Sequence, residues 1–190
     1  MKLMVLGNLN DRADVKIAKE LLPEAKVSYG VDFVITLGTP QALLSNEKTS
    51  TLFVDMGCDL HIVLPSDEAA VDFPTCQFNE KISVTPLKSE LGNTLRVITC
   101  APTGRRADDL DECEKKVKRL IAEGEDEPAV LFMHHHSFDT KLEVLKRCNE
   151  ELSALIGCGT GIAAAEVALA DGYCAFLCDF GLTSERDAVL

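Results

Sequence analysis

The chain has 190 residues, of which 46% are hydrophobic and 26% charged, so we expect one globular domain spanning 1–190. Its formal net charge of −12 repels phosphate backbones and anionic lipid, which argues against nucleic acid and against membrane insertion. No apolar run of the sequence approaches the roughly 20 residues of a membrane-spanning helix. The 8 cysteines form no CxxC pair, which indicates a reducing compartment, and we expect the cytoplasm.

Short apolar runs recur along the chain and predict strands. Each run is rich in Val, Ile, Leu or Phe and is bounded by Gly, Asp, Asn or Pro. The runs are continuous rather than alternating, which is typical of strands that are covered on both faces. They occupy residues 3–6, 33–37, 60–64, 95–99, 129–133, 154–157 and 175–177.

Amphipathic stretches between these runs predict helices. The first has Leu21 and Leu22 on its apolar face and is expected to end before Pro23. The second has acids in its first turns and bases in its last, an order that complements the helix dipole. Gly124 is its expected C′ residue. The apolar stripe of this second helix consists of Leu110, Cys113, Val117, Leu120 and Ile121.

A third helix is predicted over about 140–149, with Leu142, Leu145 and Cys148 directed inward. Residues 69–89 lack a helical period, so we expect a short hairpin or loops there. Strands that alternate with helices imply a layered α/β fold.

Ligands of such folds bind beyond the carboxyl ends of the strands, so the segments at those positions are candidates for function. Resemblance to a family becomes visible in these segments. A first strand that ends in a Gly-polar turn is followed by "DFVITLG", "LFMH" and "ALIG" strands. This pattern resembles the metallophosphoesterase superfamily. The resemblance implies a layered α-β-β-α sandwich of largely mixed sheets.

Two branches of that superfamily are most similar. The C-terminal third resembles the YmdB-type phosphodiesterases through Met133-His134 and through the segments 157–161 and 179–183. The compact size and "CDLHIVLPSDE" at 58–68 are similar to the metallophosphoesterase-like subunit of retromer.

The chemistry of the superfamily requires two cations held by Asp, His, Asn or Glu. By the resemblance, the first-strand aspartate corresponds to Asn8, and the second-strand carboxylate corresponds to Gly38-Thr39-Pro40. The Gly-Asn-His segment is missing, and Gly57-Cys58-Asp59 is nearest to it. The fifth-strand histidine is kept as His134, whereas both histidines of the sixth-strand loop correspond to Gly159 and Gly161.

This loss of ligands predicts a catalytically degenerate protein without a cofactor. We expect it to serve as an interaction or scaffold subunit, with a protein partner in a complex or with a second copy of itself as a homo-oligomer. Retromer offers the analogy, because its subunit resembles an enzyme and acts in an assembly.

The alternative is a divergent metal-dependent phosphodiesterase or phosphatase that uses Mn, Zn or Mg. Its catalytic residues would be His134 and Asn8, and its metal ligands His134, His136, Asn8 and Asp179, with Asp11 or Asp59 supplying charge. In an extended segment, His134 and His136 share one face and could hold one transition metal. The competing interpretation is an inherited strand end with solvated histidines.

Two further segments allow ligand binding. "LIGCGTGIAAAEVALA" is similar to the glycine-rich loop of S-adenosylmethionine-dependent methyltransferases, so Gly157, Gly159 and Gly161 could bind a nucleotide or S-adenosylmethionine where the loop opens a helix. Alternatively, these glycines fill space once occupied by ligand side chains. Arg105 and Arg106 could bind a phosphate, or simply pair with neighbouring aspartates.

Overall fold

The computed structural model describes residues 2–6, 12–38, 54, 57–63, 74–77, 82–90, 92–101, 107–124, 127–134, 137–148, 154–159, 163–168 and 174–181. The chain forms two compact units, Met1–Gln77 with Ser89–Asn93 and Phe78–Lys88 with Thr94–Leu190. Both contain helices and sheets, so the predicted α/β class is confirmed. Within the described ranges, no helix is both long enough and apolar enough to cross a membrane.

The first unit contains a parallel sheet. Its elements are β1 (Leu3–Leu6), α1 (Arg12–Tyr29), β2 (Phe33–Leu37), β3 (Leu60–Val63) and β4 (Thr75–Gln77). The strands pair in the order β1-β2-β3-β4, and every pair is parallel, whereas we expected a mixed sheet. All residues of β2 and β3 are buried, as the continuous apolar runs predict.

Helix α1 continues through Pro23, so the prediction that it ends before this residue is wrong. It ends instead at Tyr29, immediately before Gly30, which has a φ of 59°. The amide of Gly30 donates to the carbonyl of Val27 at 3.3 Å, and the amide of Val31 donates to that of Lys26 at 2.9 Å. A glycine in the left-handed conformation terminates the helix here because it directs these amides back to the last carbonyls.

The second unit contains a mixed sheet, as expected. Its elements are β5 (Ser83–Lys88), β6 (Thr94–Cys100), α2 (Ala107–Ala122), β7 (Ala129–His134), α3 (Phe138–Arg147), β8 (Ala154–Gly159), β9 (Ala163–Ala168) and β10 (Cys174–Gly181). The strands pair in the order β5-β6-β7-β8-β10-β9. Strands β6, β7, β8 and β10 are parallel to one another, and β5 and β9 are antiparallel to their neighbours. Strand β9 was not predicted.

Helices α2 and α3 pack on one face of this sheet. Cys113 and Val117 of α2 and Leu145 of α3 are buried, which confirms the predicted apolar stripes. Alternate residues of β6 and β7 face them, because successive side chains of a strand point to opposite faces. The buried core on this face consists of Ile98, Cys100, Cys113, Val117, Leu131, Met133, Val144, Leu145 and Cys148.

Gly124 follows α2 as predicted, but for a different reason. It is not among the described glycines with positive φ, which are Gly30, Gly38, Gly57 and Gly92. A Cβ atom at Gly124 would lie 2.5 Å from Cδ of Arg96. Arg96 extends from β6, and its Nη1 donates to the carbonyl of Ile121 at 3.1 Å. A buried arginine therefore caps the C-terminal end of α2, and the glycine leaves room for it.

Candidate functional site

Four adjacent parallel strands of the second unit end along one edge of its sheet. Strand β6 ends at Cys100, β7 at His134, β8 at Gly159 and β10 at Gly181. This carboxyl edge is where open α/β sheets bind ligands. The histidine predicted as the surviving metal ligand does lie at this edge, and its side chain is partly exposed.

The register of these strands separates the two predicted ligands His134 and Asp179. His134 is paired with Cys158, and Cys158 with Phe180. Asp179 is paired with Gly157, which is itself paired with Met133. Asp179 therefore lies one residue before Phe180, the position of β10 that is in register with His134.

Paired positions of parallel strands share a face, and successive positions alternate. Met133 belongs to the core beneath α2 and α3. The position of Asp179 thus falls on the face that carries the helices, and His134 falls on the opposite face. The positions in register with His134 carry a cysteine and a phenylalanine, and the described part of the donor set does not fit a two-metal centre.

Six further candidate residues of the predicted sites lie outside the described residues, namely Asn8, Asp11, His136, Arg105, Arg106 and Gly161. Among the side chains that the structure describes, no three of His, Cys, Asp and Glu come together as ligands of one metal ion.

The described part of the glycine-rich segment is a strand, and residues 163–168 form a strand where the resemblance implies a helix. Gly157 and Gly159 lie within β8, and the following alanine-rich residues form β9, which pairs with β10. A helix N-terminus, which would concentrate amide donors on a phosphate, is therefore absent from residues 163–168.

Asp59 lies at the amino end of β3 in the first unit. Its Oδ2 accepts a hydrogen bond from the amide of Val34 at 2.7 Å and lies 3.5 Å from Nζ of Lys26. Because the strands of this sheet are parallel, Asp59 lies at the edge opposite to the one where β2 ends at Leu37. This carboxylate stabilises the start of the strands and is not placed to supply charge at a carboxyl edge.

A buried polar chain in the first unit was not predicted. Thr36 of β2 is in register with His61 of β3, and its Oγ1 lies 2.8 Å from Nδ1 of His61. The Cys58 side chain also hydrogen-bonds to Thr36. Thr36 and His61 lie within the apolar runs that predicted these strands, and the only sequence signal was the spacing of Cys58 and His61 in "CDLH".

The Cys58 thiol and the His61 imidazole of this buried polar chain are both uncharged at neutral pH. Desolvation raises the pKa of the Cys58 thiol to about 12, so it is protonated at neutral pH and is a poor nucleophile. Burial lowers the pKa of His61 to about 4, so its imidazole is neutral. A neutral thiol, hydroxyl and imidazole link β2 to β3 without a charge to activate a substrate.

The second unit also buries two basic side chains that were not predicted as site residues. Arg96 is 7% exposed and Lys141 is fully buried. Lys141 lies in the first turn of α3, which begins after the N-cap residue Ser137. Ser137 Oγ accepts from the amide of Thr140 at 3.3 Å, so the start of α3 is capped within the chain.

The fold is similar to those of solved structures. A hypothetical protein from Thermus thermophilus superposes with a TM-score of 0.67 at 15% identity, over 94% of this chain and 74% of that chain. A novel phosphatase from Mycoplasma pneumoniae superposes with a TM-score of 0.68 at 14% identity, over 95% of this chain and 72% of that chain. No protein-family profile and no curated protein matches the sequence. The chain thus shares its α/β fold with a phosphatase.

Proposed function

We propose that this chain is a catalytically degenerate metallophosphoesterase-like protein that acts as an interaction subunit of a protein complex. The observation that carries the proposal is the register of His134 and Asp179, whose positions lie on opposite faces of one sheet. Two cations that activate a water must be bound by ligands directed at one point. A histidine flanked in register by Cys158 and Phe180 cannot bind two divalent cations by itself.

Residue types at the other strand ends support the same proposal. By the resemblance, Asn8 replaces an acidic ligand, and Gly159 and Gly161 replace histidines. An asparagine lacks the negative charge of an aspartate, and a glycine lacks the ligand atom of a histidine. Neither replacement changes the pattern of strands. The protein therefore keeps a phosphatase-like fold while its strand ends lose the donors that bind metal.

The charge of the chain bears on the partner. A net charge of −12 disfavours nucleic acid and anionic lipid and favours a protein partner with a basic surface. We place the complex in a reducing compartment, and the cytoplasm fits a sequence whose 8 cysteines form no CxxC pair. A second copy of the chain is the alternative partner.

Metal titration tests the degenerate site. Purified protein is incubated with Mn²⁺, Zn²⁺ or Mg²⁺, desalted and analysed for metal content and thermal shift. We expect at most one weakly bound Zn²⁺, abolished by His134→Ala and retained in His61→Gln, whose histidine is buried in the other unit. Two Mn²⁺ per chain together with hydrolysis of a phosphodiester would overturn the proposal.

The interaction role has its own test. The chain is tagged in its native cells at its natural level, and the complex is weighed by light scattering after size exclusion. We expect a constant stoichiometry with one partner or with a second copy. A monomeric chain without a stoichiometric partner would contradict the role.

A divergent metal-dependent phosphodiesterase or phosphatase is the second candidate, because the fold is similar to that of a phosphatase. In that case His134 and Asn8 act in catalysis, with His136 as a further ligand. Substitution of His134 would then abolish turnover. Turnover that survives His134→Ala would exclude this candidate.

A further inference from the structure

We propose that an apolar stripe on helix α1 is the surface through which this protein binds its partner, and that the partner contributes an amphipathic helix flanked by lysine or arginine. The α1 stripe consists of Leu21, Ala25 and Tyr29. This inference rests on the proposed function as an interaction subunit, and it names the surface and the partner chemistry of that role.

The three residues of the α1 stripe follow one another at intervals of four. Residues four apart in an α-helix are neighbours on its surface, one turn above the other. Leu21 is 58% exposed and Tyr29 is 66% exposed, and Ala25 between them is half-buried. Leu22 is 4% exposed and anchors α1 in the first unit, so the α1 stripe runs along the border between the buried and the exposed sides of the helix.

Exposed apolar side chains are concentrated in this part of the described chain. The large hydrophobic residues that are exposed in the described ranges are Leu21, Val27, Tyr29 and Val54. Val54 lies in a turn that contacts α1, because its carbonyl accepts from the amide of Gly57 at 2.9 Å and Lys26 Nζ donates to the carbonyl of Gly57 at 3.4 Å. Large apolar side chains exposed together mark a surface for interaction.

The spacing of the α1 stripe defines the shape of the segment that fits it. Its three side chains form a row of two helical turns, about 12 Å long. A second helix covers such a row by packing its own ridge of side chains alongside it, as helices do in grooves of partner proteins. Tyr29 contributes a large ring with a polar end, a type of side chain that is enriched in protein interfaces.

Acidic side chains flank the α1 stripe on one side. Glu20 and Glu24 are exposed, and around the helix they lie between Leu21 and Val27. Lys16 Nζ lies 3.8 Å from Glu20, but both side chains are largely exposed, and such a pair contributes little. A partner helix with Lys or Arg beside its apolar row would complement both glutamates. The net charge of −12 attracts the same basic partner over a longer distance.

The same charges disfavour a second copy of the chain on the α1 stripe. A two-fold contact uses the same surface on both subunits. Two α1 helices packed antiparallel would bring Glu20 and Glu24 of one copy against the same residues of the other. This repulsion would add to that between two chains of charge −12. A basic amphipathic helix of another protein is therefore the occupant that the surface fits.

Site-specific photo-crosslinking tests the surface in the native complex. Ser28 is exposed and lies two turns after Leu21 on the same side of α1, so Ser28→p-benzoylphenylalanine places a photoreactive group beside the α1 stripe. The full chain is expressed in its native cells and irradiated, and the cross-linked peptide is sequenced by mass spectrometry. We expect one partner, cross-linked in a segment whose apolar residues recur every three or four positions with Lys or Arg beside them.

Matched variants separate the α1 stripe from the rest of the helix. Leu21→Glu should abolish the cross-link and weaken the Kd for the purified partner at least about tenfold. Val27→Glu makes the same change at an 83% exposed residue beyond the glutamates and should leave both unchanged. Glu24→Lys should weaken binding most at low salt, whereas Glu90→Lys at another exposed position should not. Tyr29→Glu replaces Leu21→Glu if that variant melts at a lower temperature.

Several results would overturn the proposal and leave the proposed function intact. They are a stoichiometric complex that gives no cross-link from position 28, a cross-link to a second copy or to an acidic segment, and a Kd that Leu21→Glu does not change. In each case the complex exists and uses another surface or another kind of partner. A chain without any stoichiometric partner would instead contradict the proposed function and, with it, this surface.

Discussion

The hydroxyl Oγ1 of Thr36 lies 2.8 Å from Nδ1 of His61, so two buried polar groups link neighbouring strands of the parallel sheet. Burial keeps this imidazole neutral by lowering its pKa to about 4 from an ordinary value of 6.5. The unfolded chain therefore binds a proton in a pH range where the folded chain does not.

Stability should fall as the pH decreases from 6.5 to 4. A histidine with a lowered pKa contributes stability that is fully present above the unfolded pKa and is lost as the pH falls towards the folded one. The loss attributable to His61 is about 3 kcal/mol over this window. Urea unfolding at several pH values measures it. His61→Gln should flatten the slope and His134→Gln should leave it; an equal slope in both variants would contradict this assignment.

Gly124→Ala should destabilise the second unit by about 1–3 kcal/mol. The new methyl group would lie 2.5 Å from Cδ of Arg96, which is nearly buried and is held by the carbonyl of Ile121. A double-mutant cycle by denaturant unfolding isolates the cause. In an Arg96→Ala background the same glycine substitution should cost much less. An unchanged cost would show that the glycine serves another purpose.

Cys58 should be alkylated slowly in the folded protein. Its pKa of about 12 leaves little thiolate at pH 8, and its side chain is partly covered. Iodoacetamide labelling, followed by mass spectrometry, should be at least about tenfold slower than in the urea-unfolded chain. Cys76→Ser removes the other cysteine of the same tryptic peptide and serves as the control background. Equal rates in the folded and unfolded chains would refute the protected thiol.

Arg147 should stabilise the contact between α2 and α3 more than an ordinary surface arginine does. Its Nη1 lies 2.5 Å from Oδ1 of Asp111, and its Nε lies 2.9 Å from Oε1 of Glu143. These carboxylates hold the pKa of Arg147 above its usual range. Arg147→Met should lower the melting temperature measurably, and by less at 1 M salt than at low salt, because solvent ions screen exposed charge.

Arg119→Met is the matched control for this prediction. Arg119 pairs with Glu123 along α2, and both side chains are largely exposed. An isolated i,i+4 pair of this kind contributes little. If both substitutions changed the melting temperature equally, the ion pairs of Arg147 between α2 and α3 would stabilise the protein no more than an exposed pair within one helix.

Much of the secondary structure followed from local pattern. Strands β1 and β2 were predicted at their observed bounds, and most other predicted strands lay within one or two residues of theirs, because continuous runs of Val, Ile, Leu and Phe are typical of buried strands. Strand β9 was missed because its alanine-rich sequence also suits a helix. Helix α1 was predicted to end before Pro23, because proline often ends a helix. The helix continues to Tyr29, and the left-handed Gly30 terminates it.

The candidate site was only partly predictable. Position after an apolar run was enough to place His134 at the carboxyl edge. The faces of His134 and Asp179 were not predictable, because register across three strands depends on hydrogen bonds between segments far apart in sequence. The same holds for Thr36 and His61, which meet only after β2 and β3 pair.

Residue type and local period were sufficient to predict the α/β class, the amphipathic stripe of α2 and the scarcity of acids and histidines at the positions that the resemblance assigns to metal. These features act within one segment of the chain. Tertiary packing was needed to place His134 and Asp179 on opposite faces and to bring Arg96 against Gly124. Each of these relationships depends on contacts between distant segments, where a shift of one residue exchanges the two faces of a strand.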